Sequence, residues 1–108
     1  MKLWIDDVRP APEEYIWFKS VNRVIRFIED CEWNECECGK ISFQNQIELI
    51  ALDHDAGDYA IDGGDYIKLL DWLEETGRNY PIQIHSMNPV GVANMRAIIQ
   101  RNGWKEVN

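Results

Sequence analysis

A chain of 108 residues is long enough for one domain with its own core and too short for two of ordinary size. Hydrophobic residues make up 45% and charged residues 28%, a globular balance that excludes a disordered chain. Eleven Lys and Arg against nineteen Asp and Glu leave a net charge of −8, which argues against a basic-patch nucleic-acid binder and against an anionic membrane surface. A negatively charged ligand would have to be met locally, most simply through a bound divalent cation.

The first element, Lys2–Ile5, is a short apolar run closed by Asp6 and Asp7, the pattern of a strand. Because the start turns acidic at once, it has no apolar signal core, and no run approaches the ~20 residues of a membrane span. A cytoplasmic protein with no membrane partner is expected. Tyr15–Phe18 is aromatic and β-prone and reads as the second strand. Positions 8–20 hold that strand and two prolines, so a helix between the first two strands is missing or vestigial. Ser20 then caps a helix in which Val21, Val24, Ile25 and Ile28 recur at helical spacing.

Positions 32–46 are polar, carry Gly39 and Asn45, and are expected to form a loop. Cys31, Cys36 and Cys38 are an odd number, which argues against a disulfide framework. They also lack the C-x₂-C pair of structural zinc sites, so reduced surface thiols are expected. Positions 47–52 are apolar apart from Glu48, as in a strand covered on both faces. A Gly- and Asp-rich loop spans 53–64, and Tyr66, Leu69, Leu70 and Leu73 mark a helix that Gly77 ends.

Positions 81–84 form a fourth strand. Asn88 and Pro89 supply the N-cap and first turn of a helix that Val92, Met95 and Ile99 carry to Gly103, and 104–107 suggest a last short strand. Strands alternating with helices imply right-handed crossovers and a parallel sheet between helical layers: one α/β domain over 1–108, with ligands at the strands' carboxyl ends.

Those ends carry ionisable clusters. The first strand ends in Asp6-Asp7 with Arg9 beyond, the third in Asp53-His54-Asp55, and the fourth in His85-Ser86 with Asn88 beyond. In a parallel sheet Asp6, Asp7 and Asp53 converge. Carboxylates at such range repel, and a hard divalent cation relieves the repulsion. The bland alternative is that these acids cap turns. His54 and His85, the only two histidines, suit proton transfer or metal ligation, or a purely structural hydrogen bond. Arg9 offers a fork for a phosphate, with pairing to nearby acids as its alternative. Ser86 and Asn88 are candidate phosphoryl contacts, though turn and capping residues look the same.

The clusters resemble the receiver domain of two-component signalling, the CheY-like fold. Its acidic pair, phosphorylatable Asp and Ser/Thr look like Asp6-Asp7, Asp53 and Ser86, and 63–70 is similar to its Asp-Gly helix start. The resemblance implies a three-layer doubly wound sheet, receiver- or flavodoxin-like, with five strands in order 2-1-3-4-5. Two features depart from the pattern: the first helix is missing, and the usual Lys after the fifth strand has no counterpart, since Lys105 lies at that strand's start. Blocks 4–10, 52–57 and 84–91, in that order, look like a divergent branch, the cyclic-phosphate processing receiver family. Membership implies action on cyclic phosphates rather than phosphoryl relay.

The expectations are then specific. Asp6, Asp7 and Asp53 hold Mg²⁺ or another divalent cation such as Mn²⁺. Asp53, His54 and His85 are catalytic, the two histidines acting as general acid and general base in either order. Arg9, Ser86 and Asn88 position a small phosphorylated or cyclic-phosphate ligand. The alternatives are a phospho-acceptor or pseudo-receiver regulatory module, with Asp53 as acceptor, and a non-catalytic domain that meets a protein partner through exposed aromatics such as Trp33 or Trp104.

Overall fold

The computed structural model describes residues 1–38 and 47–108, with side chains for 1–31 and 47–108. Its elements are β1 (Lys2–Ile5), β2 (Tyr15–Phe18), α1 (Val21–Cys38), β3 (Leu49–Leu52), a 3₁₀ turn (Gly57–Asp62), α2 (Ile67–Glu75), β4 (Ile82–Ile84) and α3 (Pro89–Asn102). The strands form one parallel sheet in the order β2-β1-β3-β4. This is the receiver-like α/β arrangement.

Register places the core. Leu3 and Ile5 align with Ile50 and Leu52, which in turn align with Ile82 and Ile84. Side chains alternate across a strand, so these residues share one face. The helix-bearing crossovers β2-α1-β3 and β3-α2-β4 step the same way across the sheet, and α3 leaves β4 in that direction too. The right-handed rule therefore puts all three helices on that one face. Val24 and Ile28 of α1, Leu69, Leu70 and Leu73 of α2, and Met95 and Ile99 of α3 join Leu3, Ile5, Ile50, Leu52 and Ile82 in a single buried cluster.

The connection that winds the other way, between β1 and β2, holds Pro10 and Pro12 and no helix. The opposite face consequently carries Lys2, Trp4, Tyr15, Trp17 and Gln83 by alternation, with Trp4 edge-on to Tyr15 at 5.7 Å between ring centres. Among the described residues no helical layer covers it.

The structure corrects several expectations. The loop expected over 32–46 is corrected at 32–38, where α1 continues to Cys38, while 39–46 lie outside the described residues. Once nucleated, a helix propagates unless a breaker intervenes, and no Gly or Pro occurs between Ser20 and Cys38. Cys31 is half-buried on α1, whereas the side chains of Trp33, Cys36 and Cys38 lie outside the described residues. The loop over 53–64 contains the 3₁₀ turn, anchored where the Ala56 N–H donates to Asp65 at 3.0 Å. No fifth strand forms among the described residues. Its place beside β4 is held by one parallel bridge, Ile82 to Glu106. Trp104 is buried, not an exposed contact residue, and its N–H closes α3 on the Ile99 carbonyl at 3.0 Å.

Capping follows the sequence reading. Ser20 Oγ accepts from the Arg23 N–H at 3.3 Å, and the Asn88 side chain accepts from the Gly91 N–H at 3.0 Å. Gly103 ends α3 in the left-handed region that glycine adopts without strain. No helix among the described residues is long and apolar enough to cross a membrane.

Helices α2 and α3 are also tied at their ends. Glu74 accepts two hydrogen bonds from Arg101, at 2.8 Å each, and another from Asn102. These partners, Arg101 first, hold the Glu74 carboxyl below its ordinary value. A depressed folded-state pKa adds stability above the unfolded-state value and loses it as the pH falls through the folded one. Glu74→Gln is therefore expected to be less stable than the parent at about pH 7. That difference should shrink as the pH falls from about 4.5, as urea unfolding at a series of pH values would show.

Candidate functional site

Because the strands are parallel and Ile5, Leu52 and Ile84 are in register, the residues that follow them emerge side by side. The Asp53 N–H donates to the Ile5 carbonyl and the His85 N–H to the Leu52 carbonyl, each at 3.0 Å. The sheet's own hydrogen bonds thus set Asp6, Asp53 and His85 in a row.

Asp6 is fully buried and fully engaged. Its Oδ1 accepts from the backbone N–H groups of Val8 and Arg9 at 3.0 and 2.9 Å, and its Oδ2 faces His85 Nε2 at 3.1 Å. Burial alone would raise this carboxyl, but the N–H groups of Arg9 and Val8, together with His85, outweigh it and hold the pKa below the ordinary value. For His85, burial is the largest influence and it prevails over the Asp6 carboxylate, lowering the imidazole below its ordinary value. With Asp6 ionised and His85 neutral, the hydrogen bond assigns the proton to Nε2. Nδ1 is then the bare nitrogen, and it is buried with no hydrogen-bond partner among the described residues.

His85 is locked on its other sides as well. Its ring stacks on Trp4 at 3.9 Å and 5°. The Trp4 indole donates to the Arg9 carbonyl at 2.9 Å, and Arg9 Nη1 donates to the His85 carbonyl at 2.8 Å. One arm of the Arg9 fork is thus committed to the backbone, while the side chain as a whole is exposed.

Asp6, Asp7 and Asp53 each offer a carboxylate oxygen within 4.8 Å of the others. Burial, followed by the charges of Asp6 and Asp53, pushes the Asp7 carboxyl up. Three hard oxygen donors at this spacing, one of them already disfavoured as an anion, fit a divalent cation. Gly57 makes the approach possible. It has φ +57°, and a Cβ there would lie 2.5 Å from Asp7 Oδ2.

His54 belongs to a neighbouring cluster. Its Nδ1 faces Asp55 at 2.8 Å and the Asn88 amide at 3.4 Å, and with Asp55 and Asp65 it forms a second group of donors within 4.8 Å. A Cβ on Gly91 would lie 2.4 to 2.8 Å from three atoms of the His54 ring, so α3 packs its first turn directly on the imidazole. The side-chain hydrogen bonds of the two histidines share no partner. Ser86 Oγ accepts from the Asn88 N–H at 3.1 Å, a local turn into α3.

Sequence reasoning therefore located the acidic trio and both histidines but missed four supports. Trp4 could have been found from strand alternation, which puts it on the face opposite Leu3 and Ile5. Gly57 and Gly91 close two of the blocks that carry the resemblance, but a glycine's own chemistry names no role there. Asp65 lies twelve positions beyond Asp53, hidden in what read as a helix start.

A parallel sheet in this order, with an acidic trio at its carboxyl edge, defines a receiver-like domain. Within that class the chain belongs to the cyclic-phosphate processing receiver domain family, whose sequence profile matches residues 1–101. No curated protein and no solved structure matches it.

Proposed function

We propose that this domain holds Mg²⁺ or Mn²⁺ on Asp6, Asp7 and Asp53 and hydrolyses a cyclic phosphate or related phosphoester at the sheet's carboxyl edge. The observation that carries this reading is the approach of three carboxylates within 4.8 Å, in a family associated with cyclic-phosphate processing. When bound, the cation neutralises the phosphoryl oxygens and polarises the phosphorus–oxygen bonds.

The chain's own residues do the rest. Water adds its oxygen to phosphorus, one ring P–O ester bond breaks, and the product is a phosphomonoester. One proton must leave the water and one must reach the departing oxygen. His54 is suited to that transfer because Asp55 holds its Nδ1 at 2.8 Å and fixes the ring. His85, whose remaining nitrogen is buried, acts by fixing the orientation of Asp6. Arg9, Ser86 and Asn88 border the site with donors for phosphate oxygens.

Magnesium titration of the whole chain, followed by amide NMR, is expected to shift Asp6, Asp7 and Asp53. With magnesium present, a panel of cyclic phosphates that includes 2′,3′-cyclic nucleotides is expected to be hydrolysed. No shift at the trio would sink the metal assignment. Stable phosphorylation of Asp53 by acetyl phosphate, with no turnover, would instead favour a phospho-acceptor module. Lys105 weighs against that alternative, since it precedes the bridge residue Glu106 rather than following it.

A further inference from the structure

Next to the acidic trio, β2 and the 3₁₀ turn enclose a groove of about 460 Å³ lined by Trp17, Phe18, Lys19, Arg23 and Tyr59, a size that suits a small ligand. Both aromatic walls are tied to the trio. The Trp17 indole donates to the Asp6 carbonyl at 2.8 Å, and Tyr59 stands on the turn whose Gly57 packs on Asp7. Trp17 and Tyr59 are nonetheless 36% and 39% exposed, so neither is consumed by the core. The Lys19 ammonium lies 4.6 Å from the Trp17 ring centre and 5.7 Å from that of Tyr59. Its backbone is held by the Tyr66 hydroxyl, which donates to the Lys19 carbonyl at 2.8 Å.

The lining thus combines two accessible rings with two cations, on a chain of net charge −8. An apolar ligand would not need the cations, and a bare anion would not need the rings. We infer that this groove is the subsite for the organic part of the phosphoester, and that this part is a nucleobase. The inference rests on the proposed function for its link to the trio, but the groove binds independently of it. A surface cation–π contact is weaker than a base stacked on an aromatic ring. The base therefore displaces the Lys19 ammonium from Trp17 and Tyr59, and the flexible lysine stem carries that charge to a phosphate of the same ligand.

The magnesium-free chain would be titrated separately with adenosine 5′-monophosphate, adenosine and inorganic phosphate, observing amide and indole N–H signals by NMR. Both nucleosidic probes are expected to shift the Trp17 indole and the Lys19 and Tyr59 amides, and phosphate is expected to leave the indole unmoved. Tyr59→Ala, on an exposed turn, should weaken the monophosphate about tenfold. Lys19→Met should weaken the monophosphate more than adenosine. Absence of groove shifts, shifts with phosphate alone, or unchanged affinity in Tyr59→Ala would each overturn the proposal. Metal binding is read at Asp6, Asp7 and Asp53 in a separate titration, so failure of one assignment is distinguishable from failure of the other.

Discussion

Replacing His54 with alanine is expected to lower turnover of a cyclic-phosphate substrate about 10²–10⁴-fold while leaving magnesium affinity unchanged, the size of a lost general acid–base group. The expectation comes from the contrast between the two histidines. His54 has one nitrogen held by Asp55 at 2.8 Å and belongs to a cluster distinct from the trio. His85 donates to Asp6, stacks on Trp4 and buries its other nitrogen. His85→Ala should therefore weaken magnesium binding along with turnover, because it frees Asp6 Oδ2. Measuring kcat, KM and magnesium affinity for both variants separates the roles. If His54→Ala keeps turnover within about threefold of the parent, another group carries the proton.

The second large effect concerns stability and has opposite signs at adjacent residues. Asp6→Ala would strand the N–H groups of Val8 and Arg9 and the Nε2–H of His85, all satisfied by one buried carboxylate. Unsatisfied buried donors cost about 1–3 kcal/mol each. Partial rescue by water leaves an expected loss of about 2–4 kcal/mol. Among the described residues Asp7 has no comparable set of donors, and burial and its acidic neighbours push its carboxyl up. Asp7→Asn removes one repelling charge, so without metal it should stabilise the fold by about 1 kcal/mol after solvent screening. In a domain of this size that corresponds to roughly 4–8 °C in Tm. With excess magnesium the ranking should reverse, because the parent gains binding free energy that the variant largely forgoes. Thermal unfolding in EDTA and in magnesium checks both signs. An Asp7→Asn chain less stable than the parent in EDTA would show that the trio is not under charge repulsion.

Much of this was legible in the residues. Alternation and apolar runs located β1 and β2, and the Asn88-Pro89 pair located the start of α3, because strands and caps are governed by local chemistry. The strand-end clusters followed once the sheet was read as parallel. The last two turns of α1 were misread, because polarity over 32–38 resembles a loop although no Gly or Pro interrupts the helix there. The reduction of the fifth strand to one bridge was equally hidden, because 104–107 supply β-prone residues but too few hydrogen bonds to β4. The separation of the two histidines into different clusters depended on side-chain direction, which a linear pattern does not encode.

The alignment of Ile5, Leu52 and Ile84 also bears on how such a chain can change over evolutionary time. Adding or deleting a single residue within β1 or β3 would turn the buried side chains outward and swing the acids off the rim in the same stroke. Length variation should therefore be confined to the connecting segments, while novelty at the rim must come by point replacement.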